Sequence, residues 1–221
     1  MVAKRSIRPS KEQIDSEILD VTAGLIARRG IKDTAVQAVA DAAGYSKTGI
    51  LNRFPSKDVL VDAAIRQCTE LARAARAQVD AVRGDTAARD AAALIALTDL
   101  ALERRGWIEL VLASVPPFRD DDLVERLSEM GAIVADMFGT GAGSDVSLER
   151  MARVIGALGA LAVLALTYEN EATPATARPL ILATCWGALG YDGTLPDQAF
   201  SAESCRPRTQ TCSQSKEQPQ V

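Results

Sequence analysis

The residues best suited to bind a charged polymer lie in one short stretch near the N-terminus. Three cations, Lys47, Arg53 and Lys57, occur between residues 42 and 57, and this stretch contains no acidic residue. The small or hydrogen-bonding positions among them are Thr48, Gly49 and Asn52. Cations at the ends of a helix suit phosphates, and short polar groups between them can approach the edges of bases. This composition predicts binding to a nucleic acid.

Helix start and stop signals divide the region around these residues into two short helices. Thr34 and Gln37 match a capping box, which predicts that a helix follows. Gly44 is suited to end that helix in the left-handed conformation, and Ser46 is suited to cap a second helix from Lys47 to Phe54. Two helices joined by a short turn with a glycine form the helix-turn-helix pattern, whose second helix enters the DNA major groove.

Residues 35–60, A-V-x-x-V-A-x-A-A-G-Y-S-K-T-G-I-L-N-R-F-P-S-K-D-V-L, resemble the DNA-binding signature of the tetracycline-repressor (TetR/AcrR) family. The helix starts, the turn glycine, the F-P-S-K junction and their spacing carry the resemblance, which covers about the first 60 residues. One position departs from the family pattern. Asn52 and Arg53 replace the usual aromatic residue and histidine. That aromatic contacts a phosphate in the family, so the role of Asn52 is open, whereas Arg53 keeps a charged phosphate donor.

The pattern and the resemblance predict which side chains contact DNA. We expect Lys47, Thr48 and Gly49 to approach base edges. We expect a second set to contact mainly the phosphate backbone, namely Thr34, Tyr45, Ser46, Asn52, Arg53 and Lys57. Gly49 has two open interpretations, close packing against the preceding helix or close approach to DNA.

Charge is distributed unevenly along the 221 residues, whose net charge is −4. Residues 1–57 hold ten Lys and Arg against six Asp and Glu, and the remainder holds fifteen against twenty-three. A basic head on an acidic body predicts that only the head meets DNA. The chain has no histidine, which excludes His-dependent triads and His-ligated metals, and its four cysteines lack CxxC spacing. We therefore expect a cytoplasmic protein with reduced thiols, no cofactor, no metal and no enzymatic activity.

Apolar periodicity predicts an all-α chain in three parts. Residues 1–56 are predicted to form a helix-turn-helix DNA-binding domain with three helices. Residues 57–192 are predicted to form a helical domain for dimerisation, to which the resemblance also assigns effector binding. Residues 193–221 are polar and unpatterned, which predicts a disordered tail. A long helix from Lys57 to about Arg83 is expected to join the two domains as one rod.

Two uncharged runs predict a dimer interface. They extend from Val154 to Tyr168 and from Pro179 to Tyr191, within the predicted helices 8 and 9. Neither run reaches the ~18 residues expected of a membrane span, so no membrane partner is expected. A helix that is apolar on all sides must be buried on more than one of them. Helices 8 and 9 from two copies would bury both runs in a four-helix interface.

The resemblance also implies a small-molecule pocket among predicted helices 4–8. Its candidate lining is Trp107, Phe118, Met130, Met137 and Tyr168, although each of these residues can also serve as plain core. This lining favours an uncharged, largely hydrophobic ligand. The expected function is a homodimeric transcriptional repressor that such a ligand releases from a pseudo-palindromic operator.

Two other functions stay open. One is a helical dimeric interaction protein that has lost DNA binding, which the replacement of the usual aromatic by Asn52 suggests. The other is a helical enzyme with an incidental helix-turn-helix, against which the absence of histidine, of a nucleophile motif and of a metal cluster argues.

Overall fold

The computed structural model describes residues 9–113, 121–168 and 173–196. Within these ranges the chain forms α-helices and no strand, which confirms the predicted all-α class. The helices are α1 (Lys11–Asp33), α2 (Val36–Ala43), α3 (Lys47–Leu51), α4 (Lys57–Asp80), α5 (Thr86–Glu103), α6 (Arg105–Ala113), α7 (Asp121–Met137), α8 (Leu148–Tyr168) and α9 (Pro174–Ala188).

Side-chain hydrogen bonds cap the starts of α1 and α3, and the predicted cap at Ser46 is confirmed. Ser10 and Gln13 form a reciprocal capping box at the start of α1. The Ser46 hydroxyl accepts from the backbone N–H of Gly49 at 3.0 Å at the start of α3. The turn between α2 and α3 has its glycine in the left-handed conformation, with φ 73° and ψ 28° at Gly44. Local signals therefore position α3, the second helix of the predicted helix-turn-helix.

Two local predictions are wrong, namely the cap at Thr34 and the end of the third helix. Thr34 does not cap α2, because its hydroxyl donates to the carbonyl of Gly30 at 2.7 Å and Ala35 takes the cap position without a side-chain bond. The cause is Gly30, whose φ of 78° and ψ of 165° interrupt α1 without ending it, so α1 resumes and continues to Asp33. The third helix ends at Leu51 rather than at the predicted Phe54.

Two hydrophobic clusters fill the described part of the chain. The smaller one lies in the head and contains Ile18, Leu25, Val39, Ala40, Ile50, Phe54, Leu60 and Ala63. The larger one lies in the body, where the alanine-rich helix α5 is surrounded by its neighbours. Helices α1 and α4 contribute to both clusters, through Ile18 and Ile26 in α1 and through Leu60 and Cys68 in α4. The head is therefore packed on the body by continuous helices, and the predicted domain limits stay predictions.

Helices α1 and α6 approach each other closely at a contact that we name the α1–α6 junction. Its residues are Asp20, Gly24, Arg28, Gly106 and Glu109. The Asp20 carboxylate accepts from the backbone N–H of Gly106 at 3.0 Å and from that of Trp107 at 3.2 Å, so α1 caps the first turn of α6. Glu109 is buried and is bound by Arg28 and Arg105. The junction ties the head to the body through both backbone and charged groups.

Helix α8 differs from its sequence prediction in one respect. It is long and apolar enough to cross a membrane by length and composition, with a mean hydropathy of 1.8 over its best window. The uncharged run alone is shorter than a membrane span, and the helix reaches that length only by including charged residues near its start. In the protein α8 packs against α9, α6 and α5. Only 28% of this apolar stretch is buried within one copy of the chain, so α8 leaves apolar surface uncovered.

A buried charge network fixes the end of α8 that lies nearest the α7–α8 connection. The Asp90 carboxylate is 1% exposed and accepts from Arg150 at 2.7 Å and from the Tyr191 hydroxyl at 2.8 Å. Arg150 also donates to the carbonyl of Phe138. Burial, followed by the hydrogen bond to Asp90, raises the pKa of Tyr191 to about 12. The network holds α5, α8 and the segment after α9 in one arrangement.

Both cysteines within the described residues, Cys68 and Cys185, are predicted to resist alkylation. Burial raises the pKa of the Cys68 thiol to about 12 and that of the Cys185 thiol to about 11. Because the thiolate is the nucleophile, we expect iodoacetamide at pH 8 to modify them at least about a hundredfold more slowly in the folded protein than in guanidinium. Peptide mass spectrometry separates the two sites. Rapid modification of native Cys68 would contradict its buried position.

Candidate nucleic-acid interface

The recognition helix α3 is short and is held by its inward side. Ile50 is fully buried in the head cluster, and Phe54 packs beside it just after the helix. The side chains of Lys47, Thr48 and Asn52 are exposed. Lys47 forms no ion pair with any residue that the structure describes, so its ammonium group is available to a polyanion. This arrangement presents one cation and two hydrogen-bonding side chains to solvent.

Gly49 has space around it rather than a tight contact with α2. A Cβ atom at this position would lie 3.2 Å from the Ser46 hydroxyl oxygen and would meet nothing else within 4 Å. Close packing against α2, the first of the two interpretations of this glycine, is therefore wrong. The remaining interpretation, close approach to DNA, stays a prediction.

Two of the predicted phosphate-binding cations are anchored on α1. Arg53 forms an ion pair with Asp15, and both side chains are half-buried. The Lys57 ammonium donates to the backbone carbonyl of Lys32 at 2.6 Å. These bonds hold the two ends of the segment that follows α3 against α1. Any phosphate contact by Arg53 has to compete with the Asp15 carboxylate.

The other residues predicted to contact the DNA phosphate backbone differ in their exposure to solvent. Ser46 is exposed, although its hydroxyl already caps α3. Tyr45 is half-buried and packs on the head cluster. Thr34 is only 2% exposed, and its hydroxyl is bound to Gly30. DNA contact by these residues stays a prediction, and Thr34 is the least accessible of the set.

The structure does not bring the predicted effector residues together around one cavity. Trp107, Met130 and Met137 are at most 1% exposed and belong to the packed body cluster. The Trp107 indole N–H donates to the carbonyl of Cys68 at 3.1 Å, as expected of a core tryptophan. Tyr168 lines a cavity of about 190 Å³ that the other described members of the set do not line. Phe118 lies outside the described residues.

Sequence reasoning missed the acidic partners of the head. Asp15 pairs with a residue 38 positions away, and Asp20 caps a helix 86 positions away. Both lie on α1 at positions that resemble ordinary exposed helix residues in the sequence. No local spacing signal reports a contact of this range. Among the described residues, no cluster of acidic and cysteine side chains could hold a metal ion.

Comparison with known proteins identifies the head. Residues 18–64 match the family model for bacterial regulatory proteins of the tetR family. The chain therefore carries a TetR-family DNA-binding head. The matched segment extends from α1 into the first residues of α4 and includes the whole helix-turn-helix, so the resemblance drawn from the sequence is confirmed.

The proteins that this chain resembles include regulators of transcription. The HTH-type transcriptional repressor KstR2 of Rhodococcus jostii (strain RHA1) is 41% identical over 51 residues, which are 23% of this chain and 25% of that protein. The match thus spans about a quarter of the relative's length. A crystal structure assigned to the TetR family, from Rhodococcus sp., is 23% identical with a TM-score of 0.51, over 80% of this chain and 98% of the other.

A third comparison extends the likeness of fold. The structure of the ketosteroid transcriptional regulator KstR2 of Mycobacterium tuberculosis is 18% identical with a TM-score of 0.50, over 83% of this chain and 95% of that one. At this identity the likeness concerns the fold, a helix-turn-helix head followed by a helical C-terminal domain. It extends over most of the chain, whereas the family model matches residues 18–64.

Proposed function

We propose that the protein is a cytoplasmic, homodimeric transcriptional repressor that binds a pseudo-palindromic DNA operator and releases it on binding a small molecule. The observation that carries the proposal is an exposed, cation-bearing α3 on a head that matches the TetR family. The acidic body argues that DNA contacts are confined to this head. Because the sequence match to KstR2 covers 51 residues, which are 23% of this chain, it does not indicate which small molecule is bound.

Dimerisation is supported by an uncovered apolar stripe, which we define as Met151, Ile155 and Val163 of α8 and Leu180 of α9. These side chains are between 39% and 55% exposed in one copy. Contiguous exposed apolar surface marks an interaction site. If two copies pair through this stripe, two heads related by a two-fold axis can read half-sites about 34–36 Å apart in successive major grooves.

The experiment that tests the proposal is selection of duplexes from a random library, followed by fluorescence anisotropy at several salt concentrations. We expect a pseudo-palindromic consensus and affinity that falls steeply with salt. Absence of retained DNA at low salt would refute DNA binding and support the alternative of a helical interaction dimer.

Replacing Lys47 with alanine is expected to weaken binding to the selected duplex roughly tenfold or more and to relax preference at one base position. The reason is the loss of an exposed cation at the start of α3. Arg66→Ala is the matched control, because Arg66 is an exposed cation on α4 outside the recognition helix. Equal losses for the two variants would indicate that Lys47 acts only through net charge.

Replacing Arg53 with alanine is expected to weaken binding to all duplexes alike and to reduce the salt slope by about one, because one phosphate contact is lost. Asp15→Asn removes the competing carboxylate and is then expected to strengthen binding about two- to fivefold. Anisotropy titrations over a range of salt measure both effects. A changed base preference in Arg53→Ala with unchanged salt dependence speaks against phosphate binding. Weaker binding by Asp15→Asn would assign the ion pair to holding α3 on α1.

A further inference from the structure

A half-enclosed cavity of about 190 Å³ lies where the head helix α1 meets α5, α6, α8 and α9 of the body. Its apolar lining comes mainly from Ala101, Leu102, Ala165 and Leu166. A cavity of about 150 Å³ is enough for benzene, and drug-sized ligands need about 300 Å³ or more. The cavity is therefore suited to a compact molecule of roughly six to ten non-hydrogen atoms.

The charged lining of the cavity is predominantly acidic. Asp20 and Glu103 contribute carboxylates, and Arg105 contributes the only cation. Arg105 is already bound to Glu109 at 2.7 Å, outside the lining. Glu103 in turn lies 3.7 Å from Arg104, which is also outside the lining, so Asp20 provides the carboxylate that is left to meet a cationic occupant. Tyr168 adds an aromatic ring, a further group that attracts cations.

Asp20 has remaining capacity for a hydrogen-bond donor. Each of its oxygens accepts one backbone N–H from the first turn of α6, whereas a carboxylate offers about four acceptor positions. Burial raises the pKa of Asp20, and the hydrogen bonds from Gly106 and Trp107 oppose this rise. The charge of Arg104 also lowers this pKa, whereas that of Glu109 raises it. A bound cation would offset the unfavourable burial of the carboxylate charge.

We propose that this cavity binds a small organic ammonium ion, with the cationic group against Asp20 and the apolar body against the alanine and leucine side chains of α5 and α8. The site differs from the pocket expected from the sequence in position and in ligand charge. Of the residues predicted for that pocket and described in the structure, only Tyr168 lines this cavity.

Binding at this position reaches the head directly. Asp20 belongs to α1, and its carboxylate holds the first turn of α6. An ammonium ion that binds the same carboxylate stabilises the arrangement of α1 and α6 to which it binds more tightly. A change in DNA affinity follows if the two arrangements bind DNA differently. This last step rests on the proposed function, whereas ligand binding itself does not.

The test uses benzylammonium as the probe and the full chain as the protein. At ten times its Kd, which we expect to be about millimolar for a ligand of this size, benzylammonium should raise Tm by roughly 3–6 °C. Benzyl alcohol and benzoate have similar size without the cation and should produce little or no shift. No shift with benzylammonium, or equal shifts with the three compounds, would overturn the proposal.

Variants locate the binding. Asp20→Asn should weaken binding roughly 10- to 100-fold, because it removes a charge-assisted hydrogen bond. Asp145→Asn removes the same charge at an exposed position that does not line the cavity and should bind like the parent protein. Since Asp20→Asn also weakens the cap of α6, Tyr168→Leu provides a second variant, with an expected loss of about two- to fivefold. Unchanged affinity in both cavity variants would refute the site.

A separate experiment measures how the probe changes DNA affinity. Anisotropy with the selected duplex, with and without benzylammonium, should show a change in affinity that Asp145→Asn retains and Asp20→Asn loses. If the protein binds the probe but binds no DNA, the proposed function fails while the site stands. If the protein binds DNA but not the probe, the site fails while the proposed function stands.

Discussion

Replacing Gly106 with alanine is expected to destabilise the protein by about 3 kcal/mol, which corresponds to a fall in Tm of roughly 6–12 °C. A Cβ atom at this position would lie 1.8 Å from the carbonyl oxygen of Asp20 and 3.0 Å from the backbone nitrogen of Gly24. Both are backbone atoms, so relief requires that α1 and α6 move apart. That movement also stretches the bonds from α6 to the Asp20 carboxylate. Thermal unfolding followed by circular dichroism measures the loss.

A matched control exists within the same chain. Gly131 lies inside α7, where an added Cβ would meet nothing within 4 Å. Alanine there should stabilise the protein by up to about 1 kcal/mol, because alanine favours the helix. Equal effects of Gly106→Ala and Gly131→Ala would show that α1 and α6 do not pack as closely as described.

Gly106→Ala has a second expected consequence in DNA binding. Because α1 carries Asp15, the partner of Arg53, a displaced α1 should also displace the recognition helix. We therefore expect weaker operator binding even at temperatures where the variant is fully folded. Unaltered affinity in the folded variant would show that the α1–α6 junction stabilises the protein without controlling the head.

If the chain forms the proposed dimer, replacing Ile155 with glutamate is expected to convert it to a monomer and to lower operator affinity by about 100-fold or more. The side chain is 55% exposed in the middle of the apolar stripe, where a charge would be buried without a partner on dimerisation. Affinity falls because the second head then binds as an independent molecule. Sedimentation and anisotropy measure the two effects on the same sample.

Two controls separate dimer loss from simple charge effects. Ile155→Lys adds a cation, which on its own would strengthen DNA binding. It should nevertheless disrupt the dimer as Ile155→Glu does. Ala132→Glu adds the same acid at an exposed position of α7, outside the stripe, and should leave mass and affinity unchanged. A dimer that persists in Ile155→Glu would place the interface elsewhere.

Features that depend on neighbouring residues were predictable from the sequence. The cap at Ser46 and the left-handed turn at Gly44 require only residues within four positions, and both are confirmed. Thr34 shows the limit of this reasoning. Its spacing to Gln37 matches a capping box, but α1 resumes after its interruption at Gly30 and continues to Asp33. The Thr34 hydroxyl therefore donates to the carbonyl of Gly30 and does not cap α2.

Features that depend on distant residues were not predictable. The pairing of Arg53 with Asp15 joins helices whose relative position is set by the whole head cluster. Apolar residues of the body pose a different problem, because the same residue types line pockets and fill cores. The sequence alone does not show which of the two Trp107 and Met130 do. The structure places both in the core. Burial depends on how the alanine-rich helices pack, and no single segment encodes that.

The recognition helix divides its residues between two tasks. Ile50 anchors it in the head cluster, while Lys47, Thr48 and Asn52 face outward and take no part in packing. Substitutions at such outward positions usually change the free energy of unfolding by less than about 0.5 kcal/mol. If α3 reads DNA as proposed, a gene copy can therefore acquire a new target sequence one mutation at a time while every intermediate still folds. The regulatory range of such a chain can diverge much faster than its architecture.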